Sequence, residues 1–179
     1  LSPADVAYRS VMAAASDLAA MGASPQALLL ALTLPEADRV WLEGFSRGLA
    51  EARTAIAAPL VGGDTTRGSL SLTVTVLGST PADQYLTRSG AQPGDRLCVS
   101  GTLGDAAAGL AVLSGQLAVD ESAAAFLTTR YIRPAARLAL GQALRDCATA
   151  CIDISDGLLS DAAHIASASG VRLEIDSAL

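Results

Sequence analysis

Four aspartates stand where an apolar stretch of this sequence gives way to a turn or loop: Asp17, Asp64, Asp153 and Asp156. A carboxylate in such a setting is costly to bury unless a cation or hydrogen-bond donors accompany it. Side chains at strand ends also project into the crevice where open α/β sheets bind their ligands. Because magnesium takes oxygen ligands and shares one or two carboxylates with substrate phosphates, this set indicates a site for a hard divalent cation.

Each aspartate also has a simpler interpretation. Asp17 could accept hydrogen bonds near a helix end, Asp64 could form an Asx turn, and Asp156 could cap the helix that follows it. Asp153 is harder to explain as a structural residue, because a central apolar strand rarely admits a carboxylate without a partner. The sequence leaves these alternatives open.

Glycines and arginines near the aspartates are candidates for binding phosphate. Gly62 and Gly63 leave backbone amides unshielded in front of Asp64, so that a phosphate could approach closely. Arg67 and Arg88 occupy loop settings and carry the paired donors that suit phosphate, although a surface arginine needs no such role. The glycine pair matches neither a dinucleotide fingerprint nor a Walker loop, so this signal is weak by itself.

The amino-acid composition excludes several classes of enzyme and of binding partner. All 12 basic residues are arginine, and the absence of lysine excludes a P-loop kinase, protein-kinase chemistry and Schiff-base catalysis. The net charge of −6 and the pI near 4.6 speak against a nucleic-acid partner. The longest apolar run, residues 27–34, is too short to cross a bilayer. We therefore expect an acidic cytoplasmic enzyme without nucleic-acid or membrane partners.

The periodicity of apolar residues places the candidates on alternating helices and strands. The first half predicts a helix from Ser2 to Met21, a buried strand over 27–34, a helix over 36–57, a short strand at 60–61 that breaks into a loop over 62–68, and a strand over 69–76. The second half predicts strands over 96–99, 150–154 and 171–175, and helices after 105 and over 121–132, 134–146 and 158–167. Residues 78–94 lack periodicity and mark a domain boundary. This alternation predicts an α/β or α+β fold.

Four motifs occur in a fixed order: SDLAAMGA at 16–23, GGDTTRG at 62–68, LTRSGAQPGD at 86–95 and IDISDGL at 152–158. Together they resemble the thiamine-monophosphate kinase family. The first motif is also similar to that of the wider superfamily, which includes aminoimidazole ribonucleotide synthetase, selenophosphate synthetase and a hydrogenase-maturation protein. The resemblance implies the two-domain synthetase-like architecture of α+β and α/β class. A dimerising N-terminal domain would cover residues 1–83, and a C-terminal α/β domain would cover residues 84–179.

The resemblance also implies an activity, the ATP-dependent phosphorylation of thiamine monophosphate to thiamine diphosphate. The transfer would be direct and in-line, with Mg²⁺ and without a phosphoenzyme. It assigns the metal to Asp17, Asp64, Asp153 and Asp156. It assigns ATP contacts to Gly63, Asp64, Arg88 and Ser155, with Arg67 as a candidate phosphate contact and no catalytic residue apart from these ligands. Members of the family are homodimers that bind nucleotide near the interface of their N-terminal domains.

Two departures from the family pattern set further expectations. Family members carry a leading segment with Gly-Asp-Asp and Ser-Thr-Asp motifs and a later Gly-Gly-Glu-Asp segment, and this sequence contains neither. We therefore expect a central fragment in which both domains are truncated. The alternatives are another ATP-dependent enzyme of the same superfamily, such as a purine-pathway or selenophosphate synthetase, and an inactive fragment that only dimerises or binds nucleotide.

Overall fold

The computed structural model describes residues 1–175. Its first half consists of two helices and three strands, in the order α1 (Pro3–Ala20), β1 (Ser24–Leu34), α2 (Arg39–Ile56), β2 (Leu60–Arg67) and β3 (Ser71–Ser79). The strands form one mixed sheet in the order β2-β1-β3. Strand β1 pairs in parallel with β2 and antiparallel with β3. Because β1 is central, the register of β1 fixes where the residues of both neighbours lie.

Helix α1 begins as the sequence predicts. The Ser2 hydroxyl accepts a hydrogen bond from the Asp5 amide at 3.2 Å and donates one to the Asp5 carboxylate at 2.7 Å. Pro3 occupies the first helical position, where its missing amide proton costs nothing. The helix ends at Ala20, and Gly22 follows with a φ of 67° that favours glycine.

The core lies between the sheet and the two long helices. Leu28 of β1 is fully buried and packs in one cluster with Val11 and Ala15 of α1 and Ala52 of α2. This face of the sheet is the inner face. Successive side chains of a strand point to opposite faces of the sheet. The side chains one or three positions from Leu28 in β1 therefore project from the opposite side, which we call the outer face. The register places Leu29 opposite Thr75, and Ala31 opposite both Thr73 and Asp64, on this outer face.

The sequence predictions for all three strands of the sheet are wrong in their bounds, and β3 runs from Ser71 to Ser79 where a strand over 69–76 is predicted. Strand β1 begins at Ser24, three residues before the predicted start, and β2 continues through residues 62–67, where a loop is predicted. Gly63 explains why the loop prediction fails. A Cβ atom at Gly63 would lie only 1.9 Å from the Leu30 carbonyl oxygen of the neighbouring strand. The glycine therefore permits close pairing of the strands, and it does not mark a break in the strand.

The second half contains four helices among the described residues: α3 (Asp105–Leu113), α4 (Glu121–Ile132), α5 (Leu138–Leu144) and α6 (Leu158–Ser169). Helices α3 and α4 approach closely at Gly109, where a Cβ atom would lie 2.1 Å from the Leu127 carbonyl oxygen. Helix α5 packs on α1 in the same way, since a Cβ atom at Gly141 would lie 1.9 Å from the Ala19 carbonyl oxygen. Within residues 1–175, no helix is long and apolar enough to span a membrane.

The three strands predicted for the second half do not form. Residues 96–99, 150–154 and 171–175 are irregular in the structure. A strand exists only where a neighbour accepts its ladder of hydrogen bonds. In the described part of the chain, the backbone of residues 150–154 makes one such bond, from the Cys151 amide to the Thr87 carbonyl at 2.9 Å. These segments are apolar, as in strands, but within residues 1–175 no neighbouring segment forms a ladder of hydrogen bonds with them.

Arg133 connects the two halves. It follows α4 directly, and its Nε donates to the Asp5 carboxylate of α1 at 2.8 Å. Its second nitrogen donates to the Glu51 carboxylate of α2 at 2.6 Å, and its guanidinium lies 4.5 Å from the centre of the Tyr8 ring. The end of α4 is therefore fixed against both long helices of the first half.

Candidate functional site

Three segments of the chain meet at the C-terminal end of α1. The Leu86 amide donates to the Met21 carbonyl at 3.1 Å, so the segment that starts at residue 86 runs beside the end of that helix. On its other side, the Thr87 carbonyl accepts from the Cys151 amide at 2.9 Å. The turn at residues 153–157 follows immediately. A backbone hydrogen bond therefore joins the motif at 16–23 to the motif at 86–95, and a second one joins the latter to Cys151, the residue that directly precedes the motif at 152–158.

The charges of Asp17 and Asp153 interact across this junction. The Ser16 hydroxyl of α1 donates a hydrogen bond to the Asp153 carboxylate. The pKa of Asp17 is raised above its ordinary value, first by partial desolvation and then by the negative charge of Asp153, while the positive charge of Arg88 opposes the rise. Asp17 nevertheless remains open to solvent. Two carboxylates and one guanidinium thus form an electrostatically coupled cluster, which we call the acidic cluster.

The acidic cluster suits a magnesium ion that shares its coordination with a substrate. A divalent cation would relieve the repulsion that raises the pKa of Asp17. Magnesium is usually held by one or two carboxylates together with waters and phosphate oxygens, and the open side of Asp17 leaves room for them. Residues 1–175 contain no group of three or more His, Cys, Asp or Glu side chains that could hold a metal. The two carboxylates therefore fit this shared mode of binding and do not form an all-protein cage.

Ser155 and Asp156 lie in the turn beside the acidic cluster. Both side chains are exposed, and both backbone amides point towards the carboxylate of Asp161. Asp156 does not cap α6, because the N-cap position is Gly157. The alternative interpretation of Asp156 as a helix cap is therefore wrong, and its side chain remains available to a ligand.

Among the described hydrogen bonds, none joins Gly63, Asp64 or Arg67 to Asp17, Asp153 or Arg88. Gly63, Asp64 and Arg67 all belong to β2, and Asp64 projects from the outer face, whereas α1 packs on the inner face. The Asp64 carboxylate accepts a bond from the Thr65 amide at 2.8 Å, and Arg67 donates to the Pro35 carbonyl at 3.3 Å. Of the four aspartates that the sequence predicts as metal ligands, Asp17 and Asp153 are electrostatically coupled in the structure, and the role of Asp64 stays a prediction.

Two residues of the site are not predicted from the sequence. The Ser16 hydroxyl, within the first motif, donates a hydrogen bond to Asp153. Asp161 is buried and accepts three backbone hydrogen bonds from the turn. Its position in the first turn of a helix, four residues after a glycine, was the available signal, because acidic side chains there can bind unpaired amides.

The fold and the site define the class to which the protein belongs. The sequence model for the N-terminal domain of AIR synthase related protein matches residues 1–80, and the model for the C-terminal domain of AIR synthase related protein matches residues 92–178. The chain therefore belongs to the AIR synthase related family. The expected two-domain architecture of mixed α and β content is confirmed.

Within this family the chain is similar to thiamine-monophosphate kinases. It is 53% identical to the enzyme of Salmonella typhimurium over 98% of the chain, and 47% identical to that of Haemophilus influenzae over 98% of the chain. These matches cover 54% of each relative, so the chain spans about half the length of the curated relatives it matches. The resemblance suggested by the motifs is confirmed.

Solved structures agree with this relationship. The crystal structure of the thiamine-monophosphate kinase from Stenotrophomonas maltophilia K279a superposes with a TM-score of 0.89 at 44% identity, and covers 94% of this chain and 55% of that one. AaThiL complexed with AMPPCP and TMP superposes with a TM-score of 0.88 at 34% identity, and covers 95% of this chain and 55% of that one. The hydrogenase maturation protein HypE of E. coli superposes with a TM-score of 0.78 at 26% identity, over 92% of this chain and 52% of that one.

Proposed function

We propose that the full-length protein transfers the γ-phosphate of ATP to thiamine monophosphate and so forms thiamine diphosphate. The acidic cluster of Asp17, Asp153 and Arg88 is the observation that carries this proposal, because it combines metal ligands with a phosphate-binding cation. The kinase names of the relatives and the complex of AaThiL with AMPPCP and TMP support the choice of substrates.

The chemistry of this site rests on positioning and on charge. Asp17 and Asp153 would hold Mg²⁺, and the Ser16 hydroxyl keeps the Asp153 carboxylate turned towards α1. Bound Mg²⁺ would neutralise the charge that develops on the transferred phosphoryl oxygens. Arg88 would contact ATP phosphate with paired donors, and Ser155 would contact ATP from the exposed turn. Direct in-line transfer needs no covalent intermediate on the protein, since alignment of donor and acceptor supplies much of the rate.

A homodimer, which the kinase resemblance implies, would bring the outer faces of two sheets together. Asp64 projects from the outer face of its sheet, so this arrangement would place Asp64 at the interface, near which nucleotide would bind. Leu77, about half exposed next to the exposed threonines of β3, supports this choice of surface. Asp64 and Asp156 are the further proposed magnesium ligands, and Gly63 and Arg67 of the same strand as Asp64 are proposed to contact ATP and its phosphates.

We also propose the remaining expectations for the full-length protein. The domain division lies between residues 83 and 84, within the irregular segment that separates β3 from α3. The protein acts in the cytoplasm on small molecules and binds neither nucleic acid nor membrane, in keeping with its net charge of −6.

A steady-state assay tests the proposed reaction. The full-length protein is incubated with ATP, Mg²⁺ and thiamine monophosphate, and thiamine diphosphate is quantified. D153N should lower turnover about 100-fold or more, because it weakens a metal ligand and the bond from Ser16. D146N, which changes an exposed aspartate outside the acidic cluster, serves as the control and should leave turnover unchanged.

A substrate panel separates this reaction from the alternatives. Turnover with formylglycinamidine ribonucleotide and none with thiamine monophosphate would assign the protein to the synthetase reaction of the superfamily. ATP binding without any product would favour a nucleotide-binding module. Product formation that D153N leaves intact would contradict the site, even though the reaction itself was correct.

A further inference from the structure

Asp161 is the one buried charged side chain among residues 1–175, with 3% of its surface exposed. Its Oδ2 atom accepts hydrogen bonds from three consecutive backbone amides, those of Ser155 at 3.0 Å, Asp156 at 3.1 Å and Gly157 at 3.1 Å. Three amides that converge on one oxygen form the kind of concavity that binds an anion. Here the anion is a carboxylate supplied by the protein itself.

The geometry of the turn depends on this carboxylate. Gly157 is the N-cap residue of α6 and has no side chain with which to cap the helix. Its φ of 114° turns the backbone so that the three amides face the first turn of the helix. Without Asp161 these three amides would face a site that lacks an acceptor, and leaving donors unsatisfied is unfavourable. The carboxylate therefore selects this conformation of the turn.

We propose that Asp161 is the positioning residue of the turn that carries Asp153, Ser155 and Asp156, and that it thereby sets the affinity of the site for Mg²⁺ and nucleotide. This inference rests on the proposed function. The turn is held at two points, by the bond from Ser16 to Asp153 at its start and by Asp161 at its end. If the turn were no longer held by Asp161, the Asp153 carboxylate would keep its charge but would lose its fixed orientation towards α1.

Helix α6 offers a control that separates positioning from stability. Ala162 and Ile165 are buried on the same helix, with 4% and 8% of their surfaces exposed. Neither belongs to the turn or accepts its amides. I165A therefore weakens the packing of α6, because it leaves a cavity, while the carboxylate of Asp161 and its three bonds are retained.

The test compares D161A, D161N and I165A in the full-length protein by two measurements. Hydrogen exchange of the amides of Ser155, Asp156 and Gly157 reports the turn directly. Titration with AMPPCP at increasing Mg²⁺ gives the metal concentration for half-maximal nucleotide binding. In D161A the three amides should exchange about tenfold faster or more, and the Mg²⁺ requirement should rise about 10–100-fold. D161N retains an amide oxygen as acceptor and should produce a smaller change in both.

The controls make each outcome decisive. I165A should lower the melting temperature while the Mg²⁺ requirement stays unchanged. Equal shifts in I165A and D161A, or unchanged exchange of the three amides in D161A, would overturn the inference. If D161A does not fold, D161N alone decides, because an unchanged Mg²⁺ requirement together with unchanged exchange contradicts positioning. If D153N changes the Mg²⁺ requirement and the Asp161 variants do not, this inference is refuted and the proposed function stands. If D153N does not change the Mg²⁺ requirement either, the proposed function is refuted as well.

Discussion

Replacing Arg133 by alanine should destabilise the protein more than replacing any arginine on an exposed helix surface. The Arg133 side chain is 31% exposed and bridges Asp5, which is 21% exposed, and Glu51, which is 51% exposed. It also lies over the ring of Tyr8. The substitution therefore removes two ion pairs and one cation–π contact that together fix the end of α4 to the first half of the chain.

The size of the effect follows from the burial of each partner. The bond to Asp5 is charge-assisted and mostly shielded from water, which gives about 1.5 kcal/mol, the lower end for such bonds. The pair with Glu51 is half exposed and contributes about 0.3–0.5 kcal/mol after screening. The contact with Tyr8 adds about 0.5 kcal/mol. R133A should thus lower the free energy of unfolding by about 2.5 kcal/mol, and the melting temperature of a chain of this size by about 5–10 °C.

Urea unfolding followed by circular dichroism measures this loss. R39A is the matched control, because Arg39 pairs with Glu43 on a fully solvated helix face, where the side chains are 89% and 64% exposed. That control should change the free energy of unfolding by less than about 0.5 kcal/mol. If R133A falls within the same limit as R39A, the bridge between the halves contributes nothing and the reasoning from burial is wrong.

Three further predictions concern charge and packing. The pKa of Asp5 is lowered, first by the Ser2 hydroxyl and also by Arg133. The ionised Asp5 carboxylate therefore stabilises the fold at any pH above its ordinary pKa, and this stabilisation is lost as the pH falls through the lowered pKa. Urea unfolding should accordingly show that the difference in stability between wild type and R133A shrinks on acidification. The pKa of Asp17 is raised, so ionisation of Asp17 destabilises the fold as the pH rises above its ordinary pKa. D17N should therefore leave the stability at neutral pH equal or slightly higher, while kinase assays show lost turnover. G141A should cost about 1–3 kcal/mol in thermal unfolding, because its Cβ would strike the Ala19 carbonyl oxygen.

The sequence predicts the helices of the first half well because their signals are local. The start of α1 is predicted by Ser2, Pro3 and Asp5, and its end is predicted by Gly22. The extent of β2 depends instead on a contact with a distant part of the sequence. Gly63 looks like a chain break until the carbonyl oxygen of Leu30 is seen next to it.

The candidate site is predictable only in part for the same reason. Asp17, Asp153 and Arg88 can be selected from motifs, but their common location depends on how residues 86–88 pass between α1 and the later turn. The position of Asp64 on the outer face depends on the pairing of β1 with β2. A pattern of apolar residues predicts which residues are strand-like, but it does not identify the neighbour that each strand pairs with.

The transfer of labelled phosphate from [γ-³²P]ATP to thiamine monophosphate tests the central claim most directly. It should be measured with the full-length protein, with D153N and with the double variant D17N/D153N, each checked for folding by its melting temperature. The wild type should produce labelled thiamine diphosphate only when Mg²⁺ is present, and both folded variants should lose the labelled product. Undiminished labelling by the folded double variant would show that the acidic cluster does not hold the metal for phosphoryl transfer.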